Sequence, residues 1–131
     1  MILLDTDVCI AFLERKDAAV FRFVAANEAE LRLCAIVKAE LCFGARASAR
    51  VDENLRRFCE FFESIESLDF DDAAAEHYGL VRAQLKRSGT PIGPNDLLIA
   101  AIALANDARV ATRNVSEFSR VPGLQVVEAS T

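Results

Sequence analysis

The chain has a single histidine, His77, only three lysines, Lys16, Lys38 and Lys86, and no two cysteines in a CxxC arrangement. Each shortage removes a class of function. The four cysteines, Cys9, Cys34, Cys42 and Cys59, lie far apart, each in an apolar run where a free thiol packs as a small hydrophobe. With one histidine to join them they do not make a zinc site, and reduced, buried thiols are expected. No apolar run approaches the roughly 20 residues that a membrane helix needs. The first residues lack the basic stretch and small-residue cleavage site of a signal peptide, so a cytoplasmic protein is expected. No linker, repeat or low-complexity tract interrupts the chain, and residues 1–131 are expected to form one domain.

What is present is ordinary for a compact protein: 53% hydrophobic and 27% charged residues, which excludes a disordered chain. The net charge of −5 argues at first against a nucleic-acid partner. Its distribution says otherwise. From Glu60 to Glu76 there are seven acids and no lysine or arginine, and setting those seven aside turns −5 into +2. The acidity is local, and the remaining surface can carry phosphate-binding patches.

The residue pattern alternates strand and helix. Ile2–Leu4 reads as a short strand buried on both faces, Leu31–Val37 as a second strand and Ile65–Phe70 as a third. Arg109–Thr112 and Leu124–Val127 complete the set. Helices are expected over Ala18–Ala29, Lys38–Ser48, from an Asp52 cap through Phe62, and from Asp72 to about Arg87 before Gly89. Gly93-Pro94-Asn95-Asp96 opens another, because proline at the first helical position and an acid in the first turn are start signals. Its continuation, LLIAAIALA, is apolar nearly all round and should be buried. Val115–Phe118 is one further turn of helix. This alternation predicts an α/β fold on a mostly parallel sheet of about five strands, with any site beyond the carboxyl ends of the strands.

Four acids stand at the margins of the most apolar segments: Asp5 after ILL, Glu40 inside AIVKAELCF, Asp96 in the first turn of the hydrophobic helix, and Glu117 after RVAT. Unpaired carboxylates are costly to bury, so acids converging on one sheet edge without matching cations point to a hard divalent cation. Plainer roles exist for each. Asp5 can simply end a strand, Asp7 can cap a helix over Val8–Leu13, Glu40 can pair with an arginine or with Lys38, which faces elsewhere on a helix, and Asp96 can complement a helix dipole. Thr112 and Asn114 can be turn residues. Without a metal, Asp5, Glu40 and Asp96 should repel one another and raise at least one carboxyl pKa.

In order and spacing, ILLDTDVCI, AIVKAELCFGA, GTPIGPNDLLIAAIALA and VATRNVSEFSRVPGL resemble the PIN-domain ribonucleases, specifically the VapC toxins of bacterial toxin–antitoxin pairs. The resemblance spans essentially the whole chain and implies a three-layer α/β/α fold. It implies that Asp5, Glu40 and Asp96 bind Mg²⁺ or Mn²⁺, and that Thr6 and Thr112 offer hydroxyls. Asn114 falls where many PIN domains place a fourth acid. It is neutral here, which leaves Glu117 to contribute or a second metal to bind weakly. Asp7 stands where relatives more often have asparagine, adding a charge beside Asp5. The implied activity is metal-dependent hydrolysis of RNA, tRNA or another structured RNA, leaving a 5′-phosphate and a 3′-hydroxyl. Arg113, Arg82, Lys86 and Arg87 are the candidates for substrate phosphates. A small antitoxin and a second copy of the chain are the implied partners, and the face carrying Phe58, Phe61 and Phe62 suits either such contacts or core packing.

Two other readings use the same residues. A haloacid-dehalogenase-like phosphatase also places DxD after its first strand, with Asp5 as nucleophile, but needs a lysine after a later strand end, and none of the three lysines stands there. A receiver domain fails because no lysine lies near the end of the chain. A PIN fold without catalysis, serving only to bind an antitoxin, is favoured by Asn114 alone.

Overall fold

Ile2, Leu3 and Leu4 form β1 (Ile2–Leu4) and are 1%, 0% and 0% exposed in the computed structural model, which describes residues 1–129. Successive strand residues point to opposite faces, so an all-apolar strand this deeply buried has helices covering both faces of its sheet. The chain continues through α1 (Thr6–Glu14), α2 (Ala18–Ala26), a short 3-10 turn at Glu28–Glu30 and β2 (Leu31–Cys34). Then follow α3 (Ala35–Arg46), α4 (Val51–Ser64), β3 (Ser67–Leu68), α5 (Asp72–Ser88), α6 (Pro94–Ala105), β4 (Arg109–Thr112), α7 (Val115–Phe118) and β5 (Val126–Glu128).

The five strands lie in the order β3-β2-β1-β4-β5, and every pairing is parallel. All their carboxyl ends therefore fall at one edge. The chain moves outward from β1 through β2 to β3, then returns to the other side of β1 with β4. The order reverses between β1 and β4, the place where an open parallel sheet leaves a crevice. Helix α6 fills the interior as its composition requires, with Ile99, Ala100, Ala101, Ile102 and Ala103 all at 0% exposure.

Several boundaries differ from the sequence reading. β2 ends at Cys34, and Ala35, Ile36 and Val37 already belong to α3. An apolar run does not by itself distinguish a buried strand from a buried helix turn. Asp52 lies in the first turn of α4, whose cap position is Arg50. The third and fifth strands are shorter than the apolar runs that announced them, and α2 ends at Ala26.

The cysteines divide. Cys9 and Cys34 are buried free thiols, but Cys42 is half-buried and Cys59 exposed, because Cys59 falls on the outer side of α4. The phenylalanines of that helix serve the core: Phe61 is 6% exposed, and Phe58 and Phe62 pack partly buried against it. The last two residues of the expected 1–131 domain lie outside the described residues.

Candidate active site

Asp5 is the first residue beyond β1, and its backbone N–H continues the sheet by donating to the Ala111 carbonyl of β4 at 3.1 Å. Its extended conformation makes it the N-cap of α1, with Oδ1 accepting from the Val8 N–H at 2.9 Å. The cap expected at Asp7 therefore belongs to Asp5: α1 starts at Thr6 rather than Val8, which places Asp7 inside the first turn. Asp5 Oδ2 accepts from the Thr112 hydroxyl at 2.5 Å, across the point where the strand order reverses. Thr112 itself accepts from the Asn114 N–H at 2.8 Å. Among the described residues, Asp5 and Thr112 are the two polar ones buried with the core side chains, at 4% and 0% exposure.

The other acids arrive from separate helices. Thr6 at the start of α1 donates its hydroxyl to Glu40 Oε1 of α3 at 2.7 Å. Asp96 occupies the first turn of α6, whose first residue is Pro94. Glu117 on α7 lies beside Asp96 and ties down the same helix end, its Oε1 accepting from the Gly93 N–H at 2.7 Å. Asp5, Thr6, Asp7, Glu40 and Asp96 line one open cleft of about 270 Å³ together with Gly93, Pro94 and Asn95.

Asn114 is not among those lining residues. Its side-chain amide donates to Glu117 Oε2 at 2.5 Å, and Glu117, likewise not a lining residue, is held beside Asp96. Arg113 reaches close enough to Asp5 to lower its pKa, and is held by Asp17, Nη1 to Oδ2 3.4 Å. Arg82 and Lys86 do not line the acidic cleft. They line a second one between α5 and α6, and Pro94 is common to both. Sequence reasoning missed Asp17 as a support for Arg113, and Gly93 as the donor that anchors Glu117. Nothing local connects Asp17 with a residue 96 positions away.

The electrostatics match an acidic site short of cations. Burial raises the Asp5 carboxyl from 3.8 to about 6, against the Thr112 and Val8 hydrogen bonds that favour its charged form. Burial also raises Asp96 to about 7, with further contributions from the carboxylates of Glu117, Asp5 and Glu40. The repulsion expected among Asp5, Glu40 and Asp96 is present at Asp96, whereas at Asp5 the carboxylate that contributes is Asp7; desolvation is the larger cause at both positions. No lysine or arginine lines the cleft.

Among the described residues no three acidic, cysteine or histidine side chains close into a compact coordination cluster. The donors are instead oxygens around an open cleft. That set suits a hard divalent ion such as Mg²⁺, which is usually held by one or two carboxylates and keeps several waters.

The chain is similar to known proteins over nearly its whole length. The model of the PIN domain family matches residues 2–124. The chain is 37% identical to the tRNA(fMet)-specific endonuclease VapC of Shigella flexneri, over 98% of this chain and 97% of that protein. Its fold superposes with TM-score 0.92 on a chain in the crystal structure of DNA-bound VapBC from Salmonella typhimurium, at 35% identity, covering 98% of this chain and 97% of that one. A chain of VapBC2 from Rickettsia felis bound to a promoter DNA fragment gives TM-score 0.90 at 31% identity, with 97% and 98% covered.

Proposed function

The chain belongs to the PIN-domain family, among the VapC ribonucleases, and from that membership we propose that it is a divalent-metal-dependent endoribonuclease toxin whose active site is the cleft of Asp5, Glu40 and Asp96. The observation that carries the proposal is the convergence, at the β1/β4 switch point, of carboxylates from three separate elements into one cleft that no cation lines. Asp5, Glu40 and Asp96 would hold Mg²⁺ or Mn²⁺. When bound, such an ion offsets the clustered charge, orients a phosphodiester and lowers the pKa of an attacking water.

The residues around the ion-binding oxygens have separable parts. Thr112 and the Val8 N–H fix the Asp5 carboxylate, and Thr6 fixes Glu40. Glu117, held by Asn114, steadies the first turn of α6 that carries Asp96. Asp7, exposed at the cleft wall, adds negative charge beside Asp5. Arg113, 45% exposed at the side chain, is the cation placed to meet a substrate phosphate at the mouth. The products would be a 5′-phosphate and a 3′-hydroxyl.

The substrate class in this reading is structured RNA such as tRNA, supported by the named activity of the Shigella flexneri relative. Its partners are a small antitoxin, supported by the similarity to chains in VapBC complexes, and a second copy of itself. Among the described residues no helix is long and apolar enough to cross a membrane, and we place the activity in the cytoplasm. Family membership supports neither the phosphatase reading nor Asp5 as a nucleophile.

The test is to incubate the purified protein with total RNA and Mg²⁺ or Mn²⁺, with an EDTA control, and to map the new 5′ ends. Discrete cuts bearing 5′-phosphates are expected, abolished by EDTA. Because a bound metal supplies several kcal/mol of transition-state stabilisation, Asp96→Asn should slow cleavage by more than about a hundredfold. Cleavage that survives both EDTA and Asp96→Asn overturns the proposed mechanism. A folded wild type that cuts no RNA supports the antitoxin-binding scaffold instead.

A further inference from the structure

The cleft between α5 and α6 has about 600 Å³ of space, within the roughly 300–1,000 Å³ of small-molecule sites. Its composition is the reverse of its neighbour's. Leu85, Ile92 and Leu97 give it apolar surface, Arg82 and Lys86 supply two cations, and no carboxylate lines it. The helical pattern accounts for this: Tyr78, Arg82, Leu85 and Lys86 recur at the three- and four-residue intervals that share one helix face. Tyr78 is the only tyrosine of the chain.

The surface is also prearranged. The Arg82 guanidinium lies 5.8 Å from the centre of the Tyr78 ring, and its Nη1 donates to the Tyr78 hydroxyl at 3.0 Å. Phe70 supports the same ring edge-on at 6.4 Å. The opposite wall is a stiff connection. Gly89 closes α5 with φ of +68°, two prolines follow at positions 91 and 94, and Arg120 Nη1 holds the Pro91 carbonyl at 2.9 Å. Neither Arg82 nor Lys86 forms an ion pair with a carboxylate among the described residues, so both charges are available.

We propose that this cleft is a single-stranded RNA subsite, holding the nucleotide next to the one whose phosphate enters the acidic cleft. An aromatic ring with a guanidinium plane against it is the surface on which an unstacked base settles in sequence-tolerant RNA binding. Lys86 and the free edge of Arg82 meet the adjoining phosphate. Continuity comes from Pro94, which lines both clefts, so that the two adjoin there. Charge complementarity selects the occupant: a polyanion with planar bases fits two unpaired cations beside an aromatic ring. The proposal rests on the ribonuclease reading of the acidic cleft and adds the path of the strand.

The experiment measures binding of a short fluorescein-labelled single-stranded oligoribonucleotide by anisotropy, in an Asp96→Asn background that prevents turnover. A duplex of the same length serves as comparison. Tyr78→Ala should weaken single-strand binding by about tenfold, and Tyr78→Phe, which keeps the ring, should stay within about twofold. Lys86→Gln, on an exposed residue that leaves folding undisturbed, should lower the slope of log affinity against log salt by about 0.7, the value for one phosphate contact. In the wild-type background the same changes should raise KM for RNA more than they lower kcat.

Unchanged affinity and salt slope in Tyr78→Ala and Lys86→Gln overturn the subsite, and leave the ribonuclease reading intact if the wild type still cuts RNA. Equal binding of the duplex also overturns it, since a paired base cannot enter the cleft. A change in sedimentation with unaltered RNA binding overturns it in favour of an interface between copies of the chain. Tyr78-dependent binding by a wild type that cuts nothing supports the subsite while refuting the nuclease.

Discussion

A carboxyl group placed where burial and other acids raise its pKa makes the protein less stable as it ionises. Asp5 and Asp96 are both of this kind, at about 6 and about 7 against 3.8 for an ordinary aspartate. In each case the folded state holds the proton more tightly than the unfolded chain. Their contribution to stability is therefore fully present below 3.8 and is lost as pH rises through about 6 for Asp5 and about 7 for Asp96. Asp96→Asn mimics the protonated form at every pH. Thermal melts in EDTA should therefore coincide for wild type and Asp96→Asn below about pH 3.8, and the wild type should fall progressively below the variant as the pH rises from there to about 7. Saturating Mg²⁺ at neutral pH should raise the wild-type midpoint and leave the variant nearly unmoved, because only a metal bound to the native carboxylates shifts the equilibrium. A wild type more stable than the variant in neutral EDTA contradicts the proposed cause.

At the scale of elements, Asp17 shows how one side chain serves a local and a distant purpose. Its Oδ1 caps α2 by accepting from the Ala19 and Val20 N–H groups at 3.0 and 3.2 Å, while Oδ2 holds Arg113 at the end of β4. Two substitutions separate the purposes. Asp17→Ala removes the cap and should cost about 1 kcal/mol, whereas Asp17→Asn caps equally well. Asparagine still loses the ion pair, which at a half-exposed position is worth only about 0–1 kcal/mol. Denaturant midpoints should therefore order as wild type, then Asp17→Asn close behind, then Asp17→Ala. The sequence made the helix after it legible, over Ala18–Ala29, but not the cap or its reach to Arg113. The boundary between β2 and α3 was not legible: Ala35, Ile36 and Val37 continue the apolar run of the strand, and only the packing, which exposes Ala35 and buries Val37, decides that they turn helical.

For the molecule as a whole, the site depends on the rigidity of the sheet that gathers it. β1 is the central strand, hydrogen-bonded on both sides, and Leu3 at its middle pairs with Arg32 of β2 and Val110 of β4. Leu3 is 0% exposed, so Leu3→Ala opens a cavity that its neighbours cannot fill, at a cost of about 2–5 kcal/mol. We expect the denaturant midpoint to fall with an unchanged slope, and RNA cleavage, measured well below that midpoint, to be retained. Loss of cleavage in a variant that remains folded would mean that the core tunes the acids more directly than a scaffold does.

By itself the sequence determined the kinds and order of the elements, the burial of α6, and three acids, Asp5, Glu40 and Asp96, at the margins of apolar segments. These are local properties, set by periodicity, start signals and the cost of placing a carboxylate beside an apolar run. Only the tertiary structure decided how those acids are held. Thr112 meets Asp5 across 107 residues of chain and Glu117 meets Gly93 across 24, distances over which no spacing rule operates. It also moved the cap of α1 from Asp7 to Asp5, took Asn114 off the cleft wall, and carried Arg82 and Lys86 into a cleft of their own. The opening stretch ILLDTDVCI shows the division. Its sequence sets a strand, an acid and a helix in order, but the buried, Thr112-bonded setting of Asp5 arises only when a parallel sheet brings the ends of β1 and β4 side by side.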